Sequence, residues 1–456
     1  MQITLLIISI LLFIFAPGAY SITFCMTCFG VFLTNACILS YRDYKQINTI
    51  NFNLLFAIAF FLCSYSFACF ILPAGEIGLI GTALNGTSIN PCTALCTCAY
   101  SAYACGYGKL KRSNAISELY SLEYVKQIIR KIKLFYLILL VAVFLVLFLF
   151  IRTTHEIEIE VTSTPYLFVL FTVFTAMLFA CVKYGSNENT SIIGFLQSNK
   201  IVIGGTVLVM LIYLFIGDRK LIIDLGLILL GTFSIFYKRI KPLVFAALLI
   251  LGFVLMALVG LTRNSNSSLR EGGLSSFVAL GSTEMQSQES VWLLMSDLTE
   301  RYEELYFGYE YTQKHGLQYP LKIIPFAFSP IPLLPNAFCQ FIYDVPLSKT
   351  SPGLLVGKNM YSDHDTGAGT HCVVDAYMPW GMLGTLLLFF FFGKFVRYVS
   401  NNYNRNLLFS SMYLLLISQS VFLARGSLFD MYRMLAWCYI SIYLIKKTSK
   451  ALNEWT

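Results

Sequence analysis

The chain has 456 residues, of which 57% are hydrophobic and 12% charged, with a net charge of +8 and a mean hydropathy of +0.70. Soluble domains average about 25% charged residues, so this composition cannot cover a water-exposed surface and excludes an ordinary soluble class. The positive balance calls for no nucleic-acid partner. Lys and Arg fall mainly in short connections between apolar runs, where they set orientation in a membrane.

Apolar runs fall at about 3–16, 20–40, 53–73, 89–106, 134–151, 164–184, 201–216, 220–237, 243–262, 378–397, 407–424 and 429–446. Read as spans, they predict an all-α polytopic membrane protein with about 12 transmembrane helices. The start, MQITLLIISILLFIFAPGAY, has no basic residue ahead of its apolar run, and a second run follows at once. That pattern predicts a short helical hairpin turning at Ala16-Pro17-Gly18 and no cleaved signal peptide. Of the 13 cysteines, Cys25, Cys28, Cys37, Cys63, Cys69, Cys105, Cys181 and Cys438 sit inside apolar runs and read as small packing residues. Cys92, Cys96 and Cys98 cluster without a neighbouring His or carboxylate, so no metal site is expected. Cys339 and Cys372 lie in a polar loop and are the pair open to a disulfide.

Charge gives the sidedness. The connections 41–52 (Arg42, Lys45), 107–133 (Lys109, Lys111, Arg112, Lys126, Arg130, Lys131, Lys133) and 238–242 (Lys238, Arg239, Lys241) are basic. So are 398–406, which Lys394 and Arg397 lead into, and the tail with Lys446, Lys447 and Lys450. Alternate connections carry Glu76 or Glu156, Glu158 and Glu160 instead. The positive-inside bias then places both termini in the cytoplasm, with a location in a bacterial inner membrane.

Three regions follow: 1–262, an N-terminal bundle of about nine helices; 263–377, a large extracytoplasmic (periplasmic) loop; and 378–456, about three helices and a cytoplasmic tail. A loop of that length is expected to be functional. It opens polar at Asn264-Ser265-Asn266-Ser267-Ser268 and predicts an amphipathic helix over about 289–314, with Trp292, Leu293, Leu298, Tyr302, Leu305 and Tyr306 at helical spacing. PLKIIPFAFSPIPLLP (320–335) is too Pro-broken to span and is expected on or in the membrane face. No internal repeat is visible, so nothing points to an inverted-repeat transporter.

Three arginines defy the charge rule. Arg219 sits in the turn Gly217-Asp218-Arg219-Lys220, Arg263 closes one run in LVGLTRNS, and Arg425 closes another in FLARGSLFD. Any one of them reads as a snorkelling or carbonyl-capping residue. Three on one face, with Lys220 alongside, favour an anion site, because Arg grips phosphate oxygens in bidentate fashion. At the outer boundary the matching anion is a lipid-linked phosphate or pyrophosphate. The loop end adds Asp363, His364, Asp365, His371 and Asp375. His371, or failing it Asp365, is the candidate base for an acceptor hydroxyl; the bland alternative for Asp363-His364-Asp365 is a solvated turn.

These features resemble the Wzy-type O-antigen polymerases, and in pattern the enterobacterial common antigen polymerases among them. The likeness rests on the Gly-Asp-Arg-Lys turn with the later YKRIKP loop, on LTRNS at 261–265, on PLKIIPFAFSPIPLLP and on FLARGSLFDMYRM at 422–434. It covers the second half of the chain; the first half agrees in topology. Where the family often has a basic Gly-Arg-Pro or Gly-Lys-Pro after the Pro-ended stretch, this chain has Asn336-Ala337-Phe338.

The resemblance implies an integral-membrane, GT-C-like glycosyltransferase needing no cofactor. Its substrates would be oligosaccharide repeat units on undecaprenyl pyrophosphate, with a chain-length regulator as a further partner. It implies that Arg219, Lys220, Arg263 and Arg425 hold the donor pyrophosphate, that His371 or Asp365 is catalytic, and that the active site faces the periplasm. An O-antigen ligase, a lipid-linked oligosaccharide flippase and a non-enzymatic membrane subunit are the competing readings.

Overall fold

The computed structural model describes residues 1–75, 86–109, 122–153, 164–185, 197, 199–216, 219–264, 302–318, 325, 327–345, 350 and 370–453. Every regular element among them is helical. In chain order they are α1 (Gln2–Ile14), α2 (Ile22–Gln46), α3 (Phe52–Ser64), α4 (Gly86–Tyr107), α5 (Leu122–Thr153), α6 (Thr164–Gly185), α7 (Lys200–Ile216), α8 (Arg219–Thr232), α9 (Pro242–Asn264), α10 (Tyr302–His315), α11 (Leu334–Phe338), α12 (Cys372–Asn402), α13 (Leu407–Ala424) and α14 (Asp430–Asn453).

The all-α class stands, but the expected bundle of about 12 spans does not. Among the described residues four helices are long and apolar enough to cross a membrane: Ile22–Gln46, Lys220–Tyr237, Cys372–Asn402 and Leu407–Ala424. A fifth is counted if Phe52–Ser64 and Phe67–Ala74, bent by 56° at their junction, act as one span. The reason is helix length and polarity. At about 1.5 Å per residue, the 13-residue α1 reaches only about 20 Å, against about 30 Å of hydrocarbon. The 53–73 run breaks after Ser64 into a π-helical turn, Phe67–Ile71. α4 contains Pro91 and buries Asn90, Thr93, Thr97 and Ser101.

The amino-terminal hairpin forms where the sequence placed it. Asn90 holds its turn, donating from Nδ2 to the carbonyls of Pro17 (3.0 Å) and Ala19 (2.6 Å) and accepting at Oδ1 from the Ser21 amide (3.2 Å). Ser21 then caps α2 through the Phe24 amide. A second polar knot ties α2, α3 and α4: Asp43 accepts from Asn53 Nδ2 (2.8 Å) and Tyr107 OH (2.8 Å), and Tyr103 OH donates to Asn53.

The core is the crossing of α4 with α12. A Cβ on Gly106 would overlap the Phe390 carbonyl, and one on Gly393 would overlap the Tyr103 carbonyl. Only glycine permits that backbone approach, which is the small-residue logic of helices packing in lipid. Phe56, Phe60, Tyr100, Tyr103 and Phe392 fill the layer beside it. α12 itself bends at Gly381, whose φ of 64° and ψ of −160° are non-helical, two residues after Pro379. The bend leaves the Met378 carbonyl to accept from the Gln318 amide (2.7 Å). α10 docks there through Tyr309 stacked on Tyr377 (5.3 Å) and Gln313 donating to Tyr377 OH (2.9 Å).

The outward faces of α1, α2, α5, α9 and α12 are apolar, with Ile3, Leu11, Leu33, Val141, Leu243, Ile250 and Leu383 all exposed. Such a surface is stable against lipid and would aggregate in water. The chain is a membrane-associated, multi-helix protein.

Candidate functional site: an apolar cavity ending at an arginine

Three helices enclose a cavity of about 310 Å³. α3 lines it from Leu55 to Cys63, α8 from Ile222 to Leu230 and α9 from Phe245 to Phe253, with Met210 and Val421 closing the gaps. Each stretch covers eight helical steps, so the cavity runs about 12 Å along the helices. Its walls are almost wholly Leu, Ile, Phe, Gly and Ala, and among the described residues the one charged lining residue is Arg425. Leu251, in the wall, is also 55% exposed on the outer face of α9, so the cavity borders the lipid-facing surface.

Arg425 is the C-cap of α13, with φ −99° and ψ 19°. Lys220, at the start of α8, lies with its Nζ 5.7 Å from the centre of the Phe422 ring, one turn before Arg425. Lys220 and Arg425 are thus both neighbours of Phe422, Lys220 over its ring and Arg425 one turn further along the chain. Arg219 opens α8 and Arg263 lies in the last turn of α9; their side chains fall outside the described residues, as does the whole of Asp365. One turn on from Lys220 the buried carboxylate of Asp224 projects from α8, at the spacing of a helical ion pair. Sequence reading passed over it inside an apolar run.

A polar relay fixes the turn after Arg425. The Ser427 amide donates to Asp430 Oδ2 (3.3 Å) and the Phe429 amide to Ser427 Oγ (3.2 Å). Ser427 Oγ in turn donates to Asp375 Oδ2. Asp375 sits in the first turn of α12, its amide bonded to the His371 carbonyl (2.9 Å). The structure thus joins two constellations 52 residues apart in the chain. Ser427 was visible in the sequence motif, but nothing in the motif announced its partner.

His371 is the N-cap of α12 and is fully buried. Its Nδ1 accepts from the Val373 amide (3.2 Å), and its Nε2 faces Ser64 Oγ at 3.1 Å, at the end of α3. With Nδ1 accepting, Nε2 carries the proton and donates to Ser64. Both nitrogens are thereby engaged in holding α12 to α3. Burial also pushes the imidazole down to about 3, so it is neutral at any working pH. The unfolded chain binds a proton at this residue near pH 6.5 and the folded one does not until about pH 3. Stability therefore falls as pH drops from 6.5 toward 3. Thermal melts of the detergent-solubilised protein are expected to show this loss, and His371→Asn to weaken the pH dependence; an equal slope in the variant would discard the assignment.

Cys339 and Cys372 are both free, buried thiols, and no disulfide joins them. The other cysteines of the apolar runs are thiols as well, and all but Cys37 and Cys105 are buried, in keeping with packing.

Over this geometry the whole chain can be compared with known families. A family model described as O-antigen polysaccharide polymerase Wzy matches residues 1–452. The chain belongs to that family. The match covers almost every element described above, the first half of the chain included, which the sequence motifs had reached only through topology. It is to the Wzy family as a whole and does not single out the enterobacterial common antigen branch. No curated protein and no solved structure matches the chain.

Proposed function

We propose that this Wzy family member polymerises oligosaccharide repeat units carried on a polyprenyl pyrophosphate, at the outer face of the bacterial inner membrane. The observation that carries the reading is the cavity: an apolar slot bordering lipid, with Arg425 as its one charged wall residue among the described residues. That is the polarity of an isoprenoid phosphate, with a hydrocarbon tail and an anionic head. Lys220 stands beside the head position, and Arg219 opens, and Arg263 lies in the last turn of, helices that line the same slot.

In this mechanism a hydroxyl of the acceptor's terminal sugar attacks C1 of the donor's reducing-end sugar. The C1–O bond to pyrophosphate breaks, and the polyprenyl pyrophosphate leaves with the bonding pair. The hydroxyl proton passes to a base or to water. Arginines aimed at the departing pyrophosphate stabilise its growing charge, so neither a strong acid nor a metal is required. The buried, doubly engaged His371 serves as a positioning residue: through α12 and Asp375–Ser427 it sets the turn that carries Arg425. Asp365 remains the proposed base. Residues 263–377 form the periplasmic wall of the sugar site, between membrane regions 1–262 and 378–456, with both termini in the cytoplasm.

A deletion strain tests the function directly. Core lipid carrying a single repeat unit is the expected product. Accumulated lipid-linked polymer would make the protein a ligase, and no outward-facing repeat unit a flippase; either result would replace the polymerase reading.

A further inference from the structure

Glycosyl transfer between two lipid-linked chains needs two anionic headgroups held at once, and the Arg425 cavity accommodates one. On the proposed reading, a second cationic subsite is required. We infer that Arg433, with Ser329 and Trp437, forms it and takes the pyrophosphate of the acceptor lipid.

Arg433 lies in the first turn of α14, half-buried, with its guanidinium carbon 5.2 Å from the centre of the Tyr166 ring at the start of α6. The ring face holds the cation, yet among the described residues no carboxylate pairs with it and its buried Nε has no hydrogen-bond partner. Asp430, three residues earlier, is turned instead toward the Ser427 amide. Trp437 follows one turn later on the same face of α14, and its buried indole N–H likewise lacks an acceptor among the described residues.

The third member comes from the Pro-broken segment. Its residues 327–329 cross over the starts of α6 and α14: Tyr166 OH donates to the Ser329 carbonyl (3.3 Å), and Tyr432 OH to that of Ala327 (3.5 Å). Ser329 is 7% exposed, and its buried Oγ has no partner among the described residues. Ser329 and Arg433 therefore meet on opposite parts of one tyrosine, the serine at its hydroxyl and the cation on its face.

Each of these buried donors costs stability while it stays unpaired. Phosphate oxygens accept from such donors and neutralise the cation. On either side of α11 the same stretch of chain exposes Ile331, Leu333, Phe341 and Ile342, an apolar surface for the lipid that carries the head. Arg433 and Arg425 lie on either side of the Gly426–Asp430 turn, so the two heads would flank it, with their sugars directed to the same side.

The test uses the full chain in a nonionic detergent, with a fluorescent polyprenyl pyrophosphate as the probe. Wild type is expected to bind two probes per chain. Arg433→Gln should bind one, its second site weakened roughly tenfold or more, and Arg425→Gln should lose the other. If Arg433→Gln does not fold, Ser329→Ala carries the same readout. Two undiminished sites in the folded variant would overturn the subsite. Displacement of the Arg433-dependent probe by an equal concentration of phosphatidylglycerol would also overturn it, in favour of a bulk-lipid headgroup site. If Arg425→Gln keeps both probes while Arg433→Gln loses one, the donor assignment fails and the second subsite stands.

Discussion

Arg425→Ala is expected to abolish long-chain glycan while the protein still inserts and folds. Arg425 closes α13 and is, among the described residues, the one charged residue in the cavity wall, so its loss removes the cation from the proposed headgroup position and leaves the apolar walls in place. Removing one preorganised group that stabilises a developing anion costs about 10²–10³ in rate. In a process that adds many units in succession, such a loss collapses the chain-length ladder to its lowest rungs. Arg425→Lys should give an intermediate ladder, because an ammonium keeps the charge and forfeits the bidentate grip. The measurement is a gel ladder of surface glycan beside a membrane-fraction blot. Arg219→Ala and Arg263→Ala should behave as Arg425→Ala does; normal ladders in all three would remove the arginines from the mechanism.

How much of this site was legible in the sequence depends on which residues are asked about. Arg425 stood out because it broke a charge rule, and it lies in the cavity wall, with Lys220 over the ring of Phe422 one turn before it. The Ala16-Pro17-Gly18 turn was legible because local chemistry decides it. The cavity was not. Its walls are stretches of α3, α8 and α9 that each read as ordinary apolar helix, and nothing in a hydrophobic period marks which faces fail to meet. The links that set the polar turn were equally hidden: Ser64 meets His371 across 307 residues of chain.

The span count failed for a related reason. An apolar run records what a segment avoids, not how long a straight helix it makes. The run at 53–73 breaks and bends after Ser64 because the chain enters a π-helical turn there. α4 buries its polar groups against α1 and α2 and packs along α12, so its composition reflects protein neighbours as much as lipid. His371 shows the same limit at the scale of one residue. Its position before a span and near carboxylates suggested a base, whereas its two hydrogen bonds and full burial describe a residue that holds α12 to α3.

Filling the cavity should then cripple donor use without harming the fold. Gly252 lines the cavity on α9, and a Cβ built there meets no atom within 4 Å. The Cβ of Gly252→Phe therefore enters open space, and replacing a mid-helix glycine favours the helix by up to about 1 kcal/mol. The added ring takes up space the lipid tail would otherwise use. Excluding only two methylene-sized groups of that tail costs about 1.6 kcal/mol, more than tenfold in affinity. The expected result is a donor KM raised at least about tenfold, a shortened glycan ladder and an unchanged or higher melting temperature. Gly30→Phe is the control: Gly30 is equally open at its Cβ but lies on the exposed face of α2, outside the cavity. Equal effects of the two substitutions, or a full ladder in Gly252→Phe, would show that the slot between α3, α8 and α9 carries no lipid tail.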